Sequence, residues 1–383
     1  MSFELSDIDY LRQHAAEISA LDLEMSKKTQ LEDVAKLRAQ FGEHGRVVAE
    51  LLKARRSAKL PGRWLMDGES VQQATALPVA RYRARLLAEF GVSLVHDVTC
   101  SIGTEGAAMH SAGISYFGSD LDRVRLEMAR YNVPEGHFFQ ADALTVTSTA
   151  DVIVADPARR AGGRRITHPD QLLPPLPDLV DAHRGELAVK CAPGLDFNQW
   201  EGLVVVSSLA GGVKEACLYT PGLGSGRRAV MISATGEVDV LDGQDFRTED
   251  LPESGEIGSF IIDPDGAVVR AGLVRHYGAR HGLHQLDHRI AYLTGESIPA
   301  GASGFPFLEK VPLKSLKSVL HARGAGAVEI LVRGLDIDPD QLRKKLKLRG
   351  DKAMAVVLTR IGTQGVALVC GPRVVSGEEN FAI

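Results

Sequence analysis

The feature that most limits what this chain can become is a series of short apolar runs between residues 92 and 235, separated by segments of helical periodicity. Leu94-Val-His-Asp-Val, Tyr116-Phe-Gly-Ser-Asp, Asp151-Val-Ile-Val-Ala-Asp and Glu186-Leu-Ala-Val-Lys-Cys read as strands. Val204-Val-Val-Ser-Ser and Arg228-Ala-Val-Met-Ile-Ser continue the series. Strands that alternate with helices predict a parallel sheet covered on both faces, an α/β fold. Ligands of such folds sit at the carboxyl ends of the strands. Aspartates stand at those ends here: Asp97, Asp120, Asp142 and Asp156.

The flanks differ. From Phe3 to about Glu89 the apolar spacing is helical, broken at Pro61-Gly62, with Pro78 placed to open a later helix. The basic run Lys53, Arg55, Arg56, Lys59, Arg63 reads as a solvated helix face. Beyond residue 236, Phe260-Ile-Ile-Asp-Pro-Asp-Gly-Ala-Val-Val is expected to form a hairpin, and Gly301-Ala-Ser-Gly a linker. A compact α+β unit should follow, with helices near 313–320 and 339–348 and strands near 328–332, 355–358 and 366–369. Four regions are therefore expected: 1–89, 90–235, 236–303 and 304–383.

Charge separates the last region from the rest. Between Lys310 and Arg373 there are thirteen Lys and Arg against five acids, in a chain whose net charge is −5. Such asymmetry suits contact with a polyanion. Four cysteines without a C-x-x-C pair argue against a disulfide scaffold or zinc ribbon, and no metal site is expected. The acidic start MSFELSDIDY lacks the pattern of a signal peptide, and no apolar stretch is long enough to span a membrane, so a cytoplasmic location is expected.

His96-Asp-Val-Thr-Cys-Ser-Ile-Gly-Thr-Glu-Gly leaves the first strand and enters a helix. A glycine-rich turn there lets a ligand approach free backbone amides. The dinucleotide pattern G-x-G-x-x-G is absent, because Ser101 fills its first position, and this disfavours an NAD oxidoreductase. Asp97 would repel a pyrophosphate and suits a ligand with a cationic end. Asp120 can accept from both hydroxyls of a ribose, Asp122 being already inside the next helix. Asp142 can accept from an adenine amino group.

The ordered set DVTCSIGTEG, GSDLDRVRLEMARYN, QADAL and VIVADPARR resembles the motifs of class I S-adenosylmethionine-dependent methyltransferases. That resemblance implies a Rossmann-like domain with a mostly parallel seven-stranded sheet and S-adenosyl-L-methionine as cofactor. It places the methionine part at Asp97, Thr99, Cys100 and Gly103, the ribose at Asp120 with Leu121, adenine at Asp142 with Ala143, and the reacting end at Asp156. The whole chain is similar to a bacterial group of these enzymes with a C-terminal THUMP-like domain. Gln73-Ala-Thr before Val79-Ala-Arg-Tyr-Arg-Ala, Lys190-Cys-Ala-Pro-Gly-Leu-Asp, and Arg333-Gly-Leu-Asp-Ile-Asp-Pro-Asp-Gln-Leu-Arg-Lys-Lys-Leu carry that likeness. THUMP domains belong to RNA-modifying enzymes, so the resemblance implies an RNA partner and no membrane.

The motif after the fourth strand bears on the acceptor. Amino-group methyltransferases carry Asp/Asn-Pro-Pro and an aromatic residue there; this chain has Asp156-Pro157-Ala158-Arg159. Asp156 and the Pro157 carbonyl could hold an exocyclic amine, while Arg159 stacks on the base or pairs with phosphate. Two alternatives stand beside this reading. RNA uridine C5 methyltransferases use a cysteine nucleophile, and Cys191-Ala-Pro193 partly echoes their motif. The protein could also bind S-adenosylmethionine and RNA without catalysis.

Overall fold

The structure, a computed structural model, describes residues 3–157, 160–161, 164–165 and 171–376. It comprises two compact units: residues 1–226 with 231–238, and residues 227–230 with 239–383.

The first unit opens with six helices: α1 (Leu5–Gln13), α2 (Ala15–Ser19), α3 (Gln30–Phe41), α4 (Gly45–Arg55), α5 (Gly68–Gln73) and α6 (Leu77–Glu89). Local chemistry sets their ends. Asp67 caps α5 through a reciprocal capping box with Ser70, and Pro78 occupies the first turn of α6, where a missing N–H costs nothing. Lys53 and Arg63 of the basic run are solvated as expected, but the other three cations are not free. Arg55 donates to the Trp64 and Arg63 carbonyls, Arg56 to the Glu24 carbonyl, and Lys59 to those of Val71 and Gln72. These cations are committed to tying the 56–72 segment to its neighbours, whose carbonyls would otherwise lack donors.

The sheet of this unit contains β1 (Leu94–Asp97), β2 (Ser115–Asp120), β3 (His137–Gln140), β4 (Val152–Ala155), β7 (Glu186–Cys191), β8 (Leu203–Leu209) and β9 (Gly212–Tyr219), with the short pair β5 (Arg160–Ala161) and β6 (Arg164–Arg165) outside it. Its order is β8-β9-β7-β4-β1-β2-β3. Strands β3, β2, β1, β4 and β7 run parallel, and β9 lies antiparallel between β7 and β8. Helices α7 (Thr104–Ser111), α8 (Arg123–Asn132) and α9 (Leu176–Ala182) supply the crossovers, and central strands such as β4 are buried throughout, as double coverage requires. Asn132, on α8, ties the loops before α5 and α7 together: it accepts from Leu65 N–H (2.8 Å) and donates to the Leu65 and Ile102 carbonyls.

Strands β10 (Gly226–Ile232) and β11 (Val238–Asp242) carry the chain between units. The second unit is built on β12 (Phe260–Ile262), β13 (His284–Asp287), β14 (Ile290–Gly295), β15 (Ser303–Pro312), β16 (Ala325–Val332), β17 (Lys352–Ile361) and β18 (Gln364–Cys370), ordered β13-β14-β12-β15-β18-β17-β16, with β19 (Val374–Val375) on β15. Because β15 starts at Ser303 and bonds to both β12 and β18, a single sheet runs through the expected linker. Helices α10 (Gly266–Arg270), α11 (Val274–His281), α12 (Leu316–Ala322) and α13 (Pro339–Leu346) complete the unit. The hairpin expected at 260–269 does not form. Asp265 accepts from Ala267 N–H at 2.7 Å, so Pro-Asp-Gly starts α10 instead of turning a strand back. No helix among the described residues is long and apolar enough to cross a membrane.

Candidate active site

The carboxyl ends of β1, β2 and β4 bring Asp97, Asp120 and Asp156 to one edge of the sheet, as the motif spacing predicts. Their environments differ sharply.

Asp97 is buried at 3% exposure. Its Oδ1 accepts from Thr99 N–H (3.1 Å) and its Oδ2 from the Tyr116 hydroxyl (3.1 Å). Burial, reinforced by the nearby Glu105 carboxylate, pushes its pKa up to about 7, against the opposing pull of Lys190, the Thr99 amide and Tyr116. Gly106 makes that arrangement possible: a Cβ there would lie 2.7 Å from the Tyr116 ring. The second glycine, inside α7, thus serves packing against Tyr116.

Gly103 adopts φ 85° and caps α7, and Ser101 adopts φ 47°, a conformation non-glycine residues rarely hold. The Ser101 N–H donates to Asp120 Oδ2 (2.9 Å), and Asp122 N–H donates to Oδ1 (2.9 Å). Each Asp120 oxygen retains acceptor capacity, since a carboxylate offers about four lone-pair positions. Asp122 caps α8 through Val124 and Arg125. Next to Asp120, Leu121 is 64% exposed, an apolar surface available to a flat ring. Asp142 is exposed and accepts from Leu144 N–H; Ala143 is buried, with its carbonyl 2.8 Å from His183 Nε2. Cys100 is buried, and burial drives its thiol pKa well above the usual value.

The acceptor side is held by a chain of buried charges. Lys190 Nζ lies 2.7 Å from Asp156 Oδ2 and 3.3 Å from Glu105 Oε1. Arg83, on α6, bonds Glu105 at 3.1 and 3.2 Å and also pairs with Glu215 on β9, which receives the Thr75 hydroxyl. Thr99 links the two acids at the sheet edge: its amide donates to Asp97, and its Oγ1 accepts from Asp156 N–H at 2.6 Å. Pro157 is buried beside Asp156; Ala158 and Arg159 lie outside the described residues. Cys191 follows Lys190 but is fully buried, its Sγ 3.7 Å from the Val189 carbonyl. His96 is no base: both ring nitrogens meet serine hydroxyls, Ser148 and Ser119, and burial lowers its pKa to about 4.

Sequence reasoning found the strand-end acids and missed Lys190, Glu105, Arg83, Glu215 and His183. One signal was available: a lysine inside the apolar run Glu186-Leu-Ala-Val-Lys-Cys must find an anion if that strand is central.

The donor set suits a ligand with a cationic amino-acid end, a diol and a flat ring. Ser101 Oγ is buried with no partner among the described residues, an unused hydroxyl within the glycine turn.

Three comparisons with known proteins bear on the family and the fold. Residues 302–372 match the family model described as a THUMP domain-like domain. An uncharacterised S-adenosylmethionine-dependent methyltransferase of Mycobacterium tuberculosis, in strains CDC 1551 and H37Rv, is 46% identical over 366 residues, covering 88% of this chain and 99% of that one. A crystal structure of a methyltransferase-family protein from Porphyromonas gingivalis W83 shares the fold with a TM-score of 0.65 at 17% identity, over 97% of this chain and 99% of its own.

Proposed function

This chain belongs to the S-adenosylmethionine-dependent methyltransferases with a THUMP-like C-terminal domain, and on that premise we propose that it methylates a nucleobase nitrogen in RNA. S-adenosylmethionine supplies the methyl group as a reactive sulfonium substituent. What remains for the protein is alignment of the acceptor and stabilisation of the charge that develops on it.

The observation that carries this reading is the Lys190–Asp156 pair at the end of β4. A carboxylate fixed there can accept one N–H of an exocyclic amine, with the Pro157 carbonyl taking the other and Arg159 stacking on the base. Positive charge forming on the nitrogen is then met by Asp156. Lys190 holds the carboxylate in place from beneath, and Thr99 anchors its backbone. Cofactor contacts fall to Asp97, Thr99, Gly103, Asp120, Leu121, Asp142 and Ala143, with Cys100 as buried support. A uridine C5 route would need a reachable thiolate, and the full burial of Cys191 favours the nitrogen route.

The second unit supports RNA as the polyanion. Lys317 on α12, Lys344 and Lys345 on α13, and Lys347, Arg349 and Lys352 after it are all exposed and have no acid partner among the described residues. His321 Nε2 lies 2.9 Å from the Leu346 carbonyl and joins the two helices. Nucleoside mass spectrometry of RNA from a strain lacking the protein tests the proposal. One methylated nucleoside should disappear, and the purified protein should restore it to that RNA in vitro. An unchanged nucleoside profile would sink the RNA assignment.

A further inference from the structure

Away from the strand ends, the first unit carries a cavity of about 730 Å³, open to solvent and lined by Arg63, Trp64, Arg81, His110, Tyr131 and Glu135 among others. That volume is within the range of small-molecule sites, ~300–1,000 Å³. None of these six residues belongs to the cofactor groove or to the Lys190 charge chain.

The hydrogen-bond account of its wall is one-sided. Arg63 and Arg81 are exposed, and their guanidiniums meet no acid and no carbonyl among the described residues, whereas nearby Arg55, Arg56 and Lys59 are all committed to backbone oxygens. His110 Nε2 is buried with no partner there. The Trp64 indole N–H and the Tyr131 hydroxyl likewise make no hydrogen bond within the described residues. Against these groups stands one acid, Glu135. His110 Nε2 is the buried atom of this group, and buried polar atoms in folded proteins are ordinarily bonded, so it points to a ligand atom, while the solvent-facing guanidiniums, with the indole and phenol beside them, suit a ligand rich in acceptors. Helices α7 and α8 end beside this cavity, and helix C-termini disfavour anions. An anion bound here would therefore have to be held by side chains, and guanidiniums are the groups best suited to phosphate. Tyr131, partly exposed, adds an aromatic surface for a ring.

We propose that this cavity is a second ligand site that takes a nucleoside phosphate, with Arg63 and Arg81 on the phosphate, His110 Nε2 bonding an inner polar atom and the base against Tyr131. The site stands independently of the acceptor reading. Its ligand is either a free nucleotide or one nucleotide of an RNA strand, and both present the same chemistry.

Isothermal titration of protein saturated with S-adenosylhomocysteine separates the sources while keeping the cofactor groove filled. Uridine 5′-monophosphate and a short 5′-phosphorylated oligoribonucleotide are the probes. Saturable binding of the mononucleotide assigns the site to a free nucleotide; binding of the oligonucleotide alone assigns it to the chain. In either case Arg63→Ala/Arg81→Ala should weaken binding at least about ten-fold, leaving S-adenosylhomocysteine affinity unchanged. Both arginines are exposed and unpartnered, so that variant should fold. His110→Asn should reduce affinity to a smaller degree. Binding of neither probe, or equal binding by the double variant, overturns the proposal.

Discussion

Lys190 and Asp156, thirty-four residues apart, form an ion pair of 2.7 Å at the carboxyl edge of the sheet, with the lysine side chain 5% and the aspartate 24% exposed. The same ammonium reaches Glu105, so one buried cation serves two acids. Removing one member of such a group leaves charge unpaired in a poorly solvated place, which costs far more than the pair contributes net.

Lys190→Met should therefore destabilise the protein by about 3–5 kcal/mol, measured by urea unfolding. Adding Glu105→Gln to Lys190→Met should return part of that loss, because the buried cluster then carries one negative charge fewer against its remaining cation, Arg83. Strict additivity of the two changes would show that the residues are not coupled.

Asp156→Ala should lower turnover by several powers of ten, whereas Asp156→Asn keeps partial activity because an amide oxygen can still accept an N–H. Cys191→Ser should leave turnover nearly unchanged. Loss of turnover in that variant, with cofactor binding intact, would replace the nitrogen route by C5 chemistry.

Asp120→Ala should weaken S-adenosylhomocysteine binding by about 1.5–3 kcal/mol, the range for losing charge-assisted hydrogen bonds. It also removes the acceptor of the Ser101 amide. Calorimetry on wild type and variant reads the effect, and an unchanged dissociation constant would remove Asp120 from the ribose role.

Asp97 predicts a pH dependence with a definite sign. Burial first, then Glu105, raises its pKa to about 7, well above that of an unfolded aspartate. Its contribution to stability is fully present below the unfolded value and is lost as pH rises through about 7. The ligand's ammonium needs the carboxylate, so S-adenosylhomocysteine affinity should rise about ten-fold from pH 6 to pH 8, with proton release on binding. Titrations in buffers of different ionisation enthalpy measure that proton. In Asp97→Asn the affinity should be weak and flat over this range.

Lys344→Gln/Lys345→Gln/Lys347→Gln should weaken RNA binding and reduce the slope of log K against log salt by about two to three. Substitution is the better test than truncation at residue 305, since β15 bonds to strands on both sides and cutting it would open the sheet. Identical slopes for wild type and variant would place the RNA grip elsewhere.

The placement of the strand-end acids of the candidate site was readable because each stands at or just after the end of a strand, so sequence order and spatial order coincide. Asp97, Asp120 and Asp156 needed only the alternation of strand and helix to be placed at one edge. The charges beneath them were hidden, because Arg83 meets its partners 22 and 132 residues away and no local pattern encodes such separations. Pro-Asp-Gly at 264–266 misled for a different reason: the same three residues can turn a strand or cap a helix, and the Asp265 side chain decided for the cap. The cavity beside Trp64 was equally invisible, being assembled from the 61–64 segment and the ends of three helices.

Arg83 reaches from α6 to Glu105 on α7 and Glu215 on β9, binding the leading helices into the catalytic body. For anyone seeking a minimal enzyme, residues 90–235 are consequently the wrong cut: the fragment would expose two acids that had a shared guanidinium. The same logic constrains inheritance. A recombination that exchanged the leading helices between relatives would have to deliver an arginine at this spot, or arrive together with changes at positions 105 and 215.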